Sequence, residues 1–272
     1  MMEFKPFYRA VLAFFLAGEV SKIPTVKFFL YILFISLMCA DNQTAEDILL
    51  QTFHRMDGID HRFKVDSKAS GKTKKEKHFQ ASVHWPSEGN LLRQTRITST
   101  DSKRKKPSSF WEHRFRDGSK AKKWMSMPIT GKLKDVSDKK VGKKDFSFSE
   151  LGVTDKEIKS HDHTLLHREN IDTLLAYVIE SNKMDKKGKI KESKKLWIDV
   201  DTYIILKVEF YTGSGRLYRN ITCSNLQYVE DILFPMSIDV QDLKSKTDIQ
   251  ITIRDIEINP PFDMDIFIPR YQ

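Results

Sequence analysis

Cysteine is almost absent from this chain of 272 residues: there are two, Cys39 and Cys223. Cys39 falls inside an N-terminal apolar run, so if that run is removed Cys223 stands alone, and a disulfide scaffold is excluded. A single thiol at an apolar strand position is read as a small core residue. Glycine and proline are also scarce, at 11 and 9, which excludes collagen-like and low-complexity classes. No G-x-S-x-G, H-E-x-x-H, phosphate-binding loop or dinucleotide-binding glycine pattern occurs. His161, Asp162, His163 and His167 are close in sequence, but on a strand His161 and His163 share a face while Asp162 points away, and no second cluster accompanies them. They are read as polar residues near a turn. The expectation is therefore a protein that is not an enzyme and needs neither metal nor cofactor.

What is present is charge, aromatic content and alternation. Hydrophobic residues make up 40% of the chain, enough to bury one large core or two small ones, and charged residues 31%. The formal charge of +9 raises the question of nucleic acid. The basic residues concentrate in three runs, Lys68 to Lys77, Lys103 to Lys106 and Lys183 to Lys195, each flanked by strand-like sequence and read as hairpin tips. Aromatic and basic residues interleave from Trp111 to Arg116, as on a base-stacking sheet. Export, argued next, weighs against a nucleic-acid partner.

Lys27 is followed by an apolar run from Phe28 to Ala40 and then by polar Asp41-Asn42-Gln43. The run is shorter than the ~20 residues a membrane span needs and is organised like an export signal with a cleavage point after Ala40. Residues 7–17 form a second apolar stretch upstream, so the leader is over-long, as it would be if translation began near Val26. The expected organisation is residues 1–40 as export signal and 41–272 as a single domain. An uncleaved anchor and lipidation at Cys39 are the alternatives to cleavage. The residues before Cys39, Ser36-Leu37-Met38, make a poor lipidation signal.

The body opens with Thr44-Ala45-Glu46-Asp47, a capping-box start. Ile48, Leu49, Phe53 and Met56 follow on one helical face, and Gly58 stops the helix. Thereafter the period changes from 3.6 to 2. Phe79, Ala81, Val83 and Trp85 alternate with polar residues; so do Trp111, His113 and Phe115; Leu206, Val208 and Phe210; Leu217, Ile221 and Cys223; and Ile249, Ile251 and Ile253. Gly213-Ser214-Gly215 reads as a hairpin turn. Repeated meanders imply a large antiparallel sheet, whose apolar face must close, stack or be covered. Helical segments are too few for a full layer: the first helix and a segment near 149–160 are the candidates. A mainly β (α+β) fold follows, a strongly curved, half-open antiparallel barrel with a small helical lid and an apolar cavity.

The stretch from Lys123 to Leu151 carries a family signature. Trp124-x-x-x-Pro128, a basic connector, then Asp145-Phe146-Ser147-Phe148-Ser149-Glu150-Leu151 resembles the outer-membrane lipoprotein-sorting (LolA-like) proteins, whose usual form reads W-x-Y-x-P, basic residues, then G-S-D-F-S-Y-E-D-L. Lys143-Lys144 stand where the family often has Gly-Ser. The block from Trp197 to Leu217 and the closing Phe262-Asp263-Met264-Asp265-Ile266-Phe267 are also similar to family elements. The resemblance implies a half-open barrel, a periplasmic location, and a carrier of lipoprotein or lipid acyl chains. It also implies membrane-bound donor and acceptor proteins, which in some relatives include a lipid exporter. Candidate lining residues are Phe79, Val83, Trp85, Trp111, Trp124, Leu206, Val208, Phe210, Ile249, Ile251 and Ile253. A periplasmic sensor using the same barrel, and a structural envelope protein with a collapsed core, are the alternatives.

Overall fold

The computed structural model describes residues 43–71, 74–101, 107–126, 132–138 and 152–270. The leader, Cys39 and the motif residues Pro128, Asp145, Phe146, Ser147, Phe148 and Leu151 lie outside them. No helix among the described residues is long and apolar enough to cross a membrane.

Helix α1 spans Ala45–His54. It starts where expected because Thr44 and Asp47 cap each other: the Asp47 amide donates to Thr44 Oγ1 at 3.1 Å and the Thr44 amide donates to Asp47 Oδ2 at 3.1 Å. Six strands follow, β1 (His61–Gly71), β2 (Lys75–His84), β3 (Leu91–Ser99), β4 (Ser109–Phe115), β5 (Lys122–Ser126) and β6 (Leu133–Asp135). A short helix, α2 (Asp155–Ser160), repeats the capping box with Thr154 and Glu157. Then come β7 (Asp162–Ile171), β8 (Leu174–Met184), β9 (Ile190–Asp199), β10 (Ile205–Thr212), β11 (Leu217–Val229), β12 (Ile232–Asp242) and β13 (Thr247–Ile258). A 3-10 turn, Met264–Phe267, closes the order.

The thirteen strands among the described residues join one antiparallel sheet, in the order β6-β5-β4-β3-β2-β1-β13-β12-β11-β10-β9-β8-β7. Each meander therefore pairs with its sequence neighbour, and a single long-range pairing, β1 with β13, joins the two halves. The sheet is curved and does not close, as expected for a half-open barrel: β6 and β7 are its two ends. The turn at Gly213-Ser214-Gly215 links β10 to β11, with Gly215 at φ +78°, a conformation glycine enters without a Cβ clash.

Register shows which side chains share a face, because directly paired residues in an antiparallel ladder project to the same side. Val65 pairs with Ile253, Ile251 with Ile238, Val240 with Ile221, Val208 with Leu196, and Leu196 with Ile179. Together with Ile48 and Leu49 of α1 and Ile158 of α2 they form the main core. The two helices thus sit on this face, called here the helix-bearing face. A second, smaller cluster gathers Ala176, Val178, Trp197, Ile204, Leu206 and Leu233.

Candidate functional site

The helix-bearing face has two unequal halves. Over β8 to β13 it is packed shut. Ile48 and Leu49 of α1 have no exposed surface, nor have Ile179, Leu196, Ile198, Val208, Ile221 and Ile238 opposite them. Arg55, at the helix C-terminus, fastens that end: Nε donates to the Thr202 carbonyl at 3.1 Å, another guanidinium nitrogen donates to the Leu233 carbonyl, and the group lies 5.9 Å from the Phe234 ring centre. Helix α2 is fastened by Lys194, buried at 6% exposure, whose Nζ donates to the Gly152 carbonyl at 3.2 Å and faces Glu157 at 3.4 Å. Burial works to raise the Glu157 carboxyl; Lys194 and the Thr154 bonds outweigh it and hold it below the usual range.

Over β2 to β5 the same face, Ala81 apart, is only half-buried and is arranged in rows. Ala81 pairs with Ile97, Ile97 with Phe110, and Phe110 with Met125, an apolar row. One step along, Val83, Thr95, Glu112 and Lys123 form a mixed row. One step further, Arg93 pairs with Arg114, and Arg93 lies 5.6 Å from the Trp85 ring centre. Glu112, 12% exposed, is ringed by three cations, Arg93 Nη2, Arg114 Nε and Lys123 Nζ, each at 3.2 Å. Burial pushes its carboxyl up, and Arg114, Lys123 and Arg93 together draw it below the ordinary carboxylate range. Among the described residues, Trp85 Nε1 and Arg93 Nε are buried donors without a partner.

The expected lining residues separate accordingly. Val208, Ile251 and Ile253 belong to the packed core, with Phe79, Phe210 and Ile249 against its margin. Val83 and Trp85 lie half-buried on the β2 to β5 half of the same face. Trp111, Trp124 and Leu206 are placed elsewhere. Trp111 pairs with Trp124 and Arg96 on the opposite, outer face of the sheet, and Phe110, Glu112 and Arg114 are the β4 residues on the helices' side. The alternation of Trp111, His113 and Phe115 identified a shared face but not which one. Leu206 sits at an irregularity between Ile205 and Lys207 in the β9 pairing, a bulge that breaks the alternation with Val208 and sends it to the second cluster.

Trp111 on the outer face, 1% exposed, anchors the C-terminal segment. Its indole Nε1 donates to the Ile266 carbonyl at 2.9 Å, and His113 Nε2 lies 3.0 Å from the Phe267 carbonyl. Phe267 is fully buried there, packed edge-on against Phe262 at 5.1 Å between ring centres. A groove of about 290 Å³ also opens on the outer face, between β1, β13 and β12. Lys68, Ser70, Asp239, Gln241, Asp248 and Gln250 line it together with Val240 and Ile249, so its wall mixes charged, polar and apolar groups. No group of His, Cys, Asp or Glu among the described residues is placed to hold a metal. His163 Nε2 instead lies 3.1 Å from the Ile158 carbonyl.

Lys194, Arg93, Glu112, Arg114 and Lys123 were not singled out as site residues from the sequence. Lys194 falls inside a basic run read as a solvated tip, and its burial is a correction to that reading: the run extends from the β8-β9 hairpin into β9 itself. Glu112 and Arg114 carried one legible signal, charges at the strand positions that alternate with Trp111 and His113.

A family model described as "-like: Uncharacterized protein" matches residues 92–271, about two thirds of the chain. The chain belongs to that family. No curated protein matches the sequence. Among solved structures, a DUF1329 family protein from Desulfovibrio piger superposes with a TM-score of 0.66 at 15% identity, over 82% of this chain and 95% of that one. An outer membrane lipoprotein-sorting protein domain from Vibrio parahaemolyticus gives 0.64 at 18% identity, over 82% and 95%. A LolA superfamily protein from Nitrosomonas europaea gives 0.55 at 20% identity, over 83% and 98%. The chain thus carries a LolA-like fold.

Proposed function

We propose that this protein is an exported, periplasmic carrier that holds acyl chains of lipoproteins or lipids against the helix-bearing face of its half-open sheet. The carrying observation is the row of Ala81, Ile97, Phe110 and Met125 with Val83 and Trp85: apolar side chains on the helices' side of the sheet, over which the packed core of α1 and α2 does not extend. Each methylene buried there contributes about 0.8 kcal/mol, so a chain of ten buried methylenes gathers about 8 kcal/mol before the entropic costs of binding. The fold shared with the lipoprotein-sorting domain supports the reading, and so does the leader-like sequence before Asp41. A carrier of this kind takes its load from one membrane-bound protein and surrenders it to another, a lipid exporter being one such partner.

Complete burial of Ile48 and Leu49 favours a second reading, a structural envelope protein whose core has collapsed onto α1. Native mass spectrometry of the protein purified from its own envelope separates the two. A stoichiometric acyl-bearing ligand supports the carrier. An empty protein that also refuses a fluorescent fatty-acid probe supports the structural reading.

A further inference from the structure

The half-buried part of the helix-bearing face is graded. Successive same-face residues on a strand are about 7 Å apart, so within two steps the surface passes from the Ala81-Ile97-Phe110-Met125 row, through Glu112 and Lys123, to Arg93 and Arg114. The charged end is not self-neutralised: three cations gather on the Glu112 carboxylate, and Asp57 is the one further acid whose charge reaches Arg93. Two buried donors at that end, Trp85 Nε1 and Arg93 Nε, have no acceptor among the described residues. A buried N–H without a partner is costly and is satisfied when an acceptor arrives. An excess of positive charge and unmet donors at one end of an apolar strip is complementary to an amphiphile with an anionic head.

We infer that Arg93, Arg114, Lys123 and Trp85 form a head-group subsite for the phosphate or carboxylate oxygens of an acyl-bearing ligand, whose chain runs over Val83, Ile97, Phe110 and Met125. The inference rests on the carrier reading and adds a polarity to it, since one end of the ligand is specified. Arginine suits the task because its planar fork can offer two parallel donors to a phosphate or carboxylate. Lys123 and its neighbour Lys122 supply an internal control. They are consecutive on β5, so Lys123 lies on the Glu112 side and Lys122 on the His113 side, the outer face.

The test uses the full chain and three probes of equal chain length, a fatty acid, a monoacyl phosphate and a fatty alcohol, with inorganic phosphate as a fourth. Binding is read by displacement of a fluorescent fatty acid, and folding of each variant by thermal melting. Arg114→Gln and Lys123→Gln are expected each to weaken the two anionic amphiphiles by about tenfold or more and to leave the alcohol unchanged, while Lys122→Gln changes nothing. Equal binding of alcohol and acid, with no effect of Arg114→Gln or Lys123→Gln, overturns the head-group subsite and leaves the carrier standing. Failure of all three chain-bearing probes overturns both. Inorganic phosphate binding as tightly as the monoacyl phosphate assigns the site to a free anion and overturns the lipid head group.

Discussion

Replacing Ile48 by alanine tests whether α1 is docked as tightly as its burial requires. Ile48 has no exposed surface and meets a core drawn from β1 and β8 to β13. Removing three carbon groups from full burial forfeits about 2.4 kcal/mol of transfer free energy at about 0.8 kcal/mol each. The cavity left behind adds to this unless the neighbours collapse into it, and those neighbours are strand residues held in a hydrogen-bonded ladder, so relaxation is small. The expected loss is about 3–4 kcal/mol. In a domain of this size that corresponds to a fall of roughly 6–16 °C in melting temperature. Urea unfolding followed by circular dichroism measures it, with the slope checked so that a changed midpoint reports a changed stability. A helix of ten residues is only marginally stable alone, so its presence depends on this contact. A loss below about 1 kcal/mol would refute the docking, and the helix would then be a loosely held lid rather than part of the core. In that case uptake of a fluorescent fatty acid by the unaltered protein should be fast.

Trp111→Phe removes the indole donor from the Ile266 carbonyl; about 1–2 kcal/mol of local stability should be lost, seen as faster hydrogen exchange at the Ile266 and Ile268 amides and unchanged exchange in β8. Thr154→Ala breaks the capping box of α2 and should cost about 1 kcal/mol in urea unfolding. Burial depresses His61, and also His113, below the ordinary histidine value of 6.5. The unfolded chain then takes up protons first, so stability should fall as pH drops from about 7 to 5, and His61→Gln with His113→Gln should flatten that slope. Burial pushes the Cys223 thiol up to about 12, so a thiol reagent at neutral pH should label it only at the rate of unfolding.

Much of the architecture was legible because the chain's pairings are mostly local. Alternation in Phe79 to Trp85 and Ile249 to Ile253 marked strands, Thr44 and Asp47 marked the start of α1, and the glycines at 213 and 215 marked a hairpin. Two kinds of information were not legible. Period 2 says that Trp111, His113 and Phe115 are together but not which side of the sheet they occupy; Phe110 and Glu112, taking the other side, settled it only through their register with Ile97 and Thr95. Nor does alternation survive a bulge, and Leu206 is the residue that pays for one. The burial of Lys194 depends on α2 lying across β9, a tertiary fact with no local trace.

An unclosed sheet also leaves its two end strands each with one side unpaired among the described residues, and beside β6, three residues long, the longer such edge is β7, ten residues long. Its outer row of amide and carbonyl groups is a template on which another chain's strand could grow. The register shift between Leu165 and His167 interrupts that template near its middle, and Arg168 and Glu169 place charge just after the break. A strand approaching from outside would have to follow the kink and desolvate those charges at once. The kink and its charges thus work against pairing of this edge with a strand of a second copy.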